Sequence, residues 1–313
     1  MTAPRIAWLA NDDASRRVLD LATKVAATST TVLVTGESGS GKDQLARLIH
    51  ELSPRRDAPY LKIDCASLPP ELVESELFGH EKGAFTGAVE RKLGRLELAR
   101  GGAIVLDEVA ALAPPIQSKL LRVLEERSFE RLGGTETLRI DARLIALTNA
   151  DLERLVAAGR FREDLFFRLH VFTIAVPALH QRPADILPLA EELLARLATV
   201  HGRVGIAFDH AACRLFEAYP WPGNIREMKN AIERALVFSS DPVLRPEHFP
   251  EHIRSAVALT GGAHGPLRSL EDIEHEAIAA TLEATRYKIT KSAEILGISR
   301  KTLLEKRKKY GLG

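Results

Sequence analysis

The sequence predicts an α/β fold, a parallel sheet covered by helices, followed by helical segments and an all-α unit at the C-terminus. Short runs of apolar and β-branched residues occur at 30–35, 60–63, 103–106 and 144–147, and helix-periodic stretches separate them. This alternation is typical of a parallel sheet. After Pro177 the pattern changes to helices only, which predicts a helical lid on the sheet domain.

Charge is distributed unevenly along the chain. The 313 residues include 43 Lys and Arg against 42 Asp and Glu, a net charge of +1, so the total charge does not indicate nucleic-acid binding. From Arg286 to the end, nine basic residues accompany two acidic ones, a net charge of +7, which leaves −6 for the preceding residues. A basic terminal unit after an acidic body favours contact with nucleic acid at the C-terminus.

The two cysteines and the apolar segments exclude several classes of protein. Cys65 and Cys213 are far apart and lack metal-ligand spacing, so we expect reduced thiols without a chemical role. No apolar stretch approaches the roughly 18 residues of a spanning helix, and the N-terminus lacks a secretory pattern. We therefore expect a cytoplasmic protein with no membrane partner.

A glycine-rich turn follows the first predicted strand, and a helix is expected to begin near Asp43. This is the context of a P-loop, in which backbone N–H groups and the helix N-terminus bind phosphates and Lys42 adds a positive charge. Asp43 stands where Ser or Thr usually contacts Mg²⁺, which is a departure from the general P-loop. The predicted residues for ATP and Mg²⁺ are Gly36, Glu37, Ser38, Gly39, Ser40, Gly41, Lys42 and Asp43.

Two acidic residues, Asp107 and Glu108, directly follow the apolar run 103–106. A parallel sheet would place them beside the P-loop, which is the Walker B arrangement. Asp107 would then organise Mg²⁺, and Glu108 would polarise the attacking water. The alternative is that both carboxylates only cap the following helix.

A hexapeptide between these two motifs is not required for phosphate chemistry. It is too rich in glycine to continue a helix and too apolar for an ordinary solvated turn, so we expect it to present a contact. The alternative is a packing turn with Phe85 buried. Its residues are Gly83, Ala84, Phe85, Thr86, Gly87 and Ala88.

With the segment 76–82 that leads into the hexapeptide, the chain resembles the sigma-54-dependent transcriptional activators, the AAA+ enhancer-binding proteins of bacteria, over nearly its whole length. The resemblance implies that the hexapeptide, through Phe85 and Thr86, contacts sigma-54. It also implies four segments, namely a P-loop AAA+ α/β domain at 1–176, an α-helical lid at 177–254, a linker at 255–267 and a Fis-type helix-turn-helix domain at 268–313.

The family also commonly has an acidic residue at the position of Asp43, which implies a magnesium-shell or water-mediated contact there. Three further segments match the family. Thr148 and Asn149 resemble sensor I, which responds to the γ-phosphate, and Arg226 resembles the sensor II arginine that contacts nucleotide. Arg162 and Arg168 lie in a segment similar to the arginine finger that acts on a neighbouring subunit. On one helix they would be about 600° apart, so we expect different roles. Local ion pairs for both are the alternative.

Asp64 departs from the family, which often has an asparagine before this cysteine. That asparagine can hold the catalytic glutamate away from water. If Asp64 approaches Glu108 in the same way, two carboxylates meet and repel each other near neutral pH. We therefore expect Asp64 to act as a weak switch on basal ATP hydrolysis.

The C-terminal unit is predicted to contain helices at 270–282, at 289–296 and from Ser299, which caps it, through Lys309. This is a helix-turn-helix, and a solubilising basic tail is the alternative. Three residues of the last helix are expected at base edges and the following basic residues at phosphates. They are Arg300, Lys301 and Thr302, then Lys306, Arg307, Lys308 and Lys309.

We therefore expect an ATPase that binds upstream enhancer DNA and remodels the closed complex of the sigma-54 RNA polymerase holoenzyme as a homo-oligomeric ring, usually a hexamer. A AAA+ ATPase that remodels a different protein is the alternative. A repressor with a vestigial ATPase is disfavoured because the catalytic residues are present. The P-loop begins about 35 residues from Met1, so we expect no N-terminal regulatory domain and control by a regulatory protein in trans.

Overall fold

The computed structural model describes residues 8–260, 274–275, 277–279, 281–282, 285 and 287–312. The chain forms two compact units, Met1–Arg254 and Ser255–Gly313. Each unit has a buried apolar core of its own. None of the helices in the described part of the chain has the length and apolar character needed to cross a membrane.

The secondary structure alternates between strands and helices up to residue 175, and helices dominate after it. The strands are β1 (Val32–Thr35), β2 (Tyr60–Asp64), β3 (Gly79–His80), β4 (Lys92–Leu93), β5 (Ala103–Asp107), β6 (Ser128–Glu130), β7 (Thr137–Arg139), β8 (Arg143–Thr148), β9 (Thr173–Ala175), β10 (Ala207–Phe208) and β11 (Val243–Leu244). The helices are α1 (Asp13–Ala26), α2 (Lys42–Glu51), α3 (Pro70–Phe78), α4 (Arg95–Leu98), α5 (Pro114–Glu126), α6 (Leu152–Ala157), α7 (Glu163–Leu169), α8 (Ile186–Val200), α9 (His210–Ala218), α10 (Asn224–Phe238), α11 (Glu251–Thr260), α12 (Ile289–Leu296) and α13 (Arg300–Lys309).

A five-stranded parallel sheet forms the centre of the first unit, in the order β2-β5-β8-β1-β9. The four strands predicted from the sequence are present, and the α/β expectation is confirmed. The edge strand β9 was missed because three residues are too few to show a period. The register places Asp64 opposite Asp107 and Thr35 opposite Thr148. The polar ends of the strands therefore meet at one edge of the sheet.

Both faces of the sheet are covered by helices. Helices α1 and α2 pack with β1 on one face, and α3, α5 and α7 contribute to the core on the other. Arg143, at the start of β8, is buried and donates hydrogen bonds to the carbonyl groups of Val25 (2.8 Å) and Ala26 (3.2 Å). Burial lowers its pKa to about 10. The arginine thus satisfies carbonyl groups at the end of α1 that the helix leaves without partners.

The lid consists of α8 to α11 around a cluster of aromatic side chains, including the fully buried Trp221 and Phe216. The expectation of helices only was wrong in one respect. Strands β10 and β11 form a two-residue parallel pair between helices, too short to produce a pattern. The predicted linker 255–267 also needs correction, because α11 continues through Thr260. Residues 261–267 lie outside the described part of the chain.

The C-terminal unit contains the predicted helix pair α12 and α13. Gly297 ends α12 with φ +64°, and the Ser299 side chain accepts a hydrogen bond of 3.1 Å from the Thr302 amide. The apolar core argues for a folded unit rather than a basic tail. Its fully buried members are Ile278, Leu282, Ala293 and Leu303.

Two features of this unit need comment. Ile295, although apolar, is 60% exposed because it lies on the outer face of α12. The predicted helix 270–282 is helical at residues 274–275, 277–279 and 281–282, and the remainder lies outside the described residues.

Candidate functional site

The loop after β1, the middle of β2 and the end of β5 border a cavity of about 900 Å³. This is the carboxyl edge of a parallel sheet, where such folds usually bind ligands. The loop after β1 and helix α2 form one wall, the acidic residues after β5 form the floor, and lid helices α8 and α10 form the opposite wall. The charged residues that line it are Lys42, Asp43, Arg47, Lys62, Asp107, Glu108, Glu192, Arg196, Arg226 and Lys229.

The loop at 36–42 has the backbone shape of a phosphate-binding loop. Gly39 has φ +76°, and a Cβ atom there would lie 2.6 Å from the carbonyl oxygen of Gly223 in the lid, so only glycine fits. Lys42 is buried and donates to the carbonyl groups of Gly36 (2.8 Å) and Glu37 (3.0 Å). Burial lowers the pKa of its ammonium group. The loop therefore holds a positive charge next to the N–H groups in the first turn of α2.

Glu108 adopts a left-handed backbone conformation (φ +52°, ψ +53°), which costs a side-chain-bearing residue about 1–2 kcal/mol. Its carboxylate accepts a hydrogen bond of 3.3 Å from the Asn149 amide at the end of β8. The interpretation that Glu108 only caps the next helix is therefore not supported, since its carboxylate makes no capping bond to the following turn in the described chain. The strained backbone aims this carboxylate across the sheet toward Asn149.

Lys62 is a residue of the site that the sequence analysis did not identify. Its Nζ lies 2.8 Å from Asp43 Oδ1 and 2.8 Å from Asp107 Oδ2. Burial lowers the pKa of Lys62, but hydrogen bonds to Asp107 and Asp43 outweigh this, and the pKa is raised overall. A lysine inside the otherwise apolar run of β2 is the signal that could have identified it.

Asp64 does not lie where the switch hypothesis would place it. Its carboxylate accepts hydrogen bonds from the amides of Ala66 (3.0 Å) and Ser67 (3.1 Å), within its own loop. Asp64 is opposite Asp107 in the sheet, whereas Glu108 bonds to Asn149. The role of Asp64 stays a prediction.

The lid arginine Arg226 lines the cavity, whereas the sheet-end Thr148 is not among the described lining residues. Thr148 is fully buried, and its hydroxyl accepts from the Ala150 amide at 3.0 Å, so it shapes the end of β8. Arg226 donates a hydrogen bond of 2.5 Å to the Ser38 hydroxyl, and the Ile225 amide donates to the Gly39 carbonyl at 3.0 Å. The lid is therefore joined directly to the phosphate-binding loop.

Asn224 is a second residue that the sequence analysis did not single out. It is fully buried at the start of α10, in a left-handed conformation (φ +52°) that asparagine tolerates. Its Nδ2 donates to Glu37 Oε2 at 2.9 Å and to the Ser38 carbonyl at 3.2 Å, while Oδ1 accepts from the Leu179 amide. The amide side chain therefore links the lid, the loop at 36–42 and the chain entering the lid.

The two candidate finger arginines have different local environments. Arg162 precedes α7 rather than lying within it, so the predicted rotation along one helix does not apply. Its guanidinium pairs with Asp164 at 2.6 Å, as the local ion-pair alternative predicted. Arg168 donates to the Leu124 carbonyl at 3.3 Å. Within the described chain, neither arginine lines the cavity of its own subunit.

The hexapeptide forms a compact exposed loop. The Gly83 amide donates to the Ala88 carbonyl at 2.8 Å, which closes the loop, and Ala88 alone in it is buried. Phe85 is 43% exposed, so the alternative of a buried Phe85 is wrong. The centroid of its ring lies 4.9 Å from that of the His80 ring. Thr86 is exposed beside it.

Arg131 anchors the base of this loop. Its guanidinium is buried and pairs with Glu97 (2.9 Å), Glu81 (2.9 Å) and Glu136 (3.1 Å). These hydrogen bonds, led by that of Glu97, raise its pKa. Because Glu81 directly precedes the loop, the network fixes where the exposed phenylalanine projects.

On the C-terminal unit, Arg300, Lys301 and Lys308 are exposed, while Thr302 and Arg307 are partly buried. Lys306 is not free for an intermolecular contact. It forms an ion pair with Glu274, and the Tyr310 hydroxyl donates to the same carboxylate at 2.7 Å. The expectation that Lys306 contacts phosphate therefore conflicts with its role in holding α13 to the residues before α12.

The donor set at the sheet edge fits a divalent cation. Asp43 and Asp107 already converge on one ammonium ion, and carboxylate oxygens are the ligands that Mg²⁺ prefers. Among the described residues no cluster of three or more His, Cys, Asp or Glu side chains forms a complete metal site. A magnesium ion here would therefore take its other ligands from phosphates and water, as in other nucleotide sites.

The fold and this site define a P-loop ATPase with a helical lid and a separate helix-turn-helix unit. Family comparisons agree along the chain. Residues 8–175 match the sigma-54 interaction domain, residues 180–263 the AAA+ ATPase lid domain, and residues 269–310 the Fis family of bacterial regulatory proteins. The chain belongs to the sigma-54-dependent transcriptional activators, and its first unit is an AAA+ ATPase.

Individual relatives support this assignment. The chain is 42% identical over 311 residues to the regulatory protein AtoC of Escherichia coli and 43% identical over 305 residues to ZraR of Salmonella typhimurium. It is 45% identical over 295 residues to AlgB of Pseudomonas aeruginosa. These matches cover 97, 97 and 94% of this chain and 68, 69 and 65% of the relatives.

A solved structure, that of NtrX from Brucella abortus in complex with ATP, has a similar architecture. The TM-score is 0.74 at 32% sequence identity, and the match covers 98% of this chain and 70% of NtrX. The match therefore extends over both units of this chain.

Proposed function

We propose that this chain binds upstream enhancer DNA and uses ATP hydrolysis to remodel the closed complex of sigma-54 RNA polymerase. The observation that carries the proposal is the exposed Phe85-Thr86 loop on the same unit as the nucleotide cavity. An ATPase has no need of such a loop for its chemistry, whereas a machine that acts on a second protein does. We retain the predicted segments 1–176, 177–254 and 268–313 as working boundaries.

Nucleotide binding would use the cavity at the sheet edge. The loop at 36–42 would cradle the phosphates, and Lys42 would turn from the carbonyl groups of Gly36 and Glu37 toward them. NtrX, which shares the fold, was solved with ATP, and this supports ATP as the ligand. Mg²⁺ held beside Asp107 and Asp43 would neutralise the charge that develops on the phosphates.

Glu108 is the candidate for positioning the attacking water. Its carboxylate reaches the Asn149 amide, so Asn149 holds it in one orientation at the end of β8. The position of Arg226 would change with the bound nucleotide, because its hydrogen-bond partner, Ser38, belongs to the phosphate-binding loop. Movement of the lid with nucleotide state is then a direct mechanical consequence.

Hydrolysis is proposed to require a ring of subunits, of which the family's usual form is a hexamer. Arg162 and Arg168 lie outside the cavity lining of their own chain, within the residues described. An arginine supplied by a neighbour stabilises transition-state charge in other nucleotide hydrolases. DNA binding through Arg300, Lys301, Thr302, Arg307 and Lys308 would raise the local concentration of the ring near the promoter. We place this activity in the cytoplasm.

The test compares open-complex formation with ATP hydrolysis. Phe85→Ala and Thr86→Ala are expected to abolish open-complex formation by sigma-54 RNA polymerase and to leave much of the ATPase activity. Val89→Ala is a matched control, because Val89 is 74% exposed next to the hexapeptide but outside it. Equal loss of both activities in the loop variants would reject separate roles for loop and cavity.

A AAA+ ATPase acting on another protein is the second candidate. The same assay separates the two, because that candidate predicts ATP hydrolysis without any sigma-54-dependent opening. The exposed hexapeptide supports the first candidate.

A further inference from the structure

Lys62 joins the two acidic residues that are candidates for the magnesium site. Asp43 stands in the first turn of α2, Asp107 ends β5, and Lys62 projects from the middle of β2. Its ammonium nitrogen lies 2.8 Å from an oxygen of each carboxylate. These three elements are brought together only by the folded sheet.

The two carboxylates that contact this lysine together form a site for a cation. One positive group shares two carboxylates at equal distance, and all three side chains line the same cavity as Lys42 and Glu108. A bound Mg²⁺ requires carboxylate oxygens at about 2.0–2.1 Å. An ammonium ion and a directly coordinated Mg²⁺ on the same Asp107 oxygen would repel each other, because both are positively charged and would lie only a few ångströms apart.

Solvent does not remove this competition. The side chain of Asp107 is 20% exposed and that of Lys62 is 33% exposed, so the pair is partly shielded, whereas Asp43 is 60% exposed. The Lys62–Asp107 contact is therefore the stronger half of the bridge, because exposed pairs contribute little. Without the Lys62–Asp107 contact, the partly buried Asp107 carboxylate is stabilised only if another cation takes the place of Lys62.

We propose that Lys62 is an internal counter-ion of the nucleotide site, which holds Asp107 in the absence of metal and must release it when Mg²⁺ binds. Lys62 is thus a positioning residue that sets how strongly nucleotide binding depends on Mg²⁺. Without metal, its charge neutralises carboxylates that would otherwise repel the phosphates. With metal, its displacement costs part of the binding free energy.

This inference rests on nucleotide binding at the cavity and is independent of sigma-54. The readout is the affinity for a fluorescent N-methylanthraniloyl derivative of ADP, measured by titration of the full chain in magnesium chloride and again in EDTA. The ratio of the dissociation constant in EDTA to that in Mg²⁺ reports the metal dependence. ADP is used so that hydrolysis does not complicate the measurement.

Lys62→Met keeps the length of the side chain and removes the charge. We expect the ratio to increase by about tenfold, which is about 1.4 kcal/mol. Binding in EDTA weakens because two bare carboxylates face the phosphates, and binding in Mg²⁺ does not weaken because no displacement is needed. Lys62→Arg, which keeps the charge, should stay close to the wild-type ratio.

Lys229→Met is the matched control, since Lys229 lines the same cavity from the lid and is exposed. Losing that charge should weaken binding to a similar extent in both conditions and leave the ratio unchanged. If Lys62→Met does not fold, Lys62→Gln retains a polar side chain and carries the same expectation.

An unchanged ratio in the folded, neutral Lys62 variants would overturn the proposal and reduce Lys62 to a structural ion pair. An equal increase in Lys229→Met would also overturn it, because the effect would then be general to the charge of the cavity. A wild-type chain that binds the ADP derivative in neither condition would overturn the proposed nucleotide function, and this inference with it.

Discussion

The side-chain amide of Asn224 in the lid donates a hydrogen bond of 2.9 Å to the carboxylate of Glu37 in the phosphate-binding loop. The same side chain also bonds to the Ser38 carbonyl and to the Leu179 amide. A change in the conformation of the loop on nucleotide binding is therefore transmitted to the lid through direct hydrogen bonds. This contact is a physical basis for coupling nucleotide state to the arrangement of subunits.

Replacing Asn224 by Asp should weaken this link. The substitution keeps an acceptor for Leu179 and tolerates the left-handed backbone, but it removes the donor and places a carboxylate against Glu37. Leaving buried groups unpaired costs about 1–3 kcal/mol, so the thermal midpoint of the full chain should fall by several degrees. Affinity for ADP should fall as well. Asn230→Asp is the control, because Asn230 is an exposed residue of the same helix that also lines the cavity.

If an arginine acts across a subunit interface, mixing two inactive variants should restore part of the ATP hydrolysis. Subunits carrying Arg168→Ala and subunits carrying Glu108→Gln are each expected to be inactive alone and to regain part of the ATP hydrolysis together, since each supplies what its neighbour lacks. Steady-state hydrolysis over a range of mixing ratios measures this. Inactivity at every ratio would count against action in trans.

The same mixing experiment with Arg162→Ala tests whether the arginines divide their work. Arg162 is held by Asp164 at 2.6 Å within its own chain, whereas Arg168 contacts only a carbonyl group among the hydrogen bonds described. We expect Arg162 to need release from Asp164 before it can act across an interface. Complementation equal to that of Arg168 would show that the ion pair is no obstacle.

Two lysines of α13 should give different DNA-binding phenotypes. Lys308 is exposed, so Lys308→Ala should weaken DNA binding uniformly across sequences and reduce the slope of log affinity against log salt by about one. Lys306 pairs with Glu274, so Lys306→Ala should lower the stability of the C-terminal unit with little change in the salt slope. Salt-dependent binding curves and thermal unfolding distinguish these outcomes.

Asp64→Asn should lower basal ATP hydrolysis while preserving stimulation by sigma-54. The asparagine keeps an acceptor for the Ala66 and Ser67 amides, so the loop should fold as before, and it adds a donor that can bond to Glu108 only when the side chain leaves this loop. Steady-state rates with and without the sigma factor measure the effect. Basal turnover that is unchanged or higher in the variant would contradict the hypothesis.

Sequence alone determined the features that are carried by contiguous residues. The P-loop, the acidic end of β5, the hexapeptide and the Gly297 turn of the C-terminal helix pair each depend on a local pattern of glycine, charge or apolar period. Such patterns are readable because the chemistry and the backbone shape come from neighbours in the chain. The helical lid and the α/β class followed from the same periodicities.

Only the tertiary structure decided which distant side chains meet. The sheet order β2-β5-β8-β1-β9 places Lys62 between Asp43 and Asp107, and the docking of the lid buries Asn224 on the phosphate-binding loop. Strand β9 and the β10–β11 pair were missed because their pairing, not their own residues, makes them strands. Lys306 illustrates the same limit, since its sequence position indicates a phosphate contact and its fold gives it Glu274. Local sequence patterns indicate the secondary structure and the chemical role of a residue, whereas long-range packing determines which side chains it contacts.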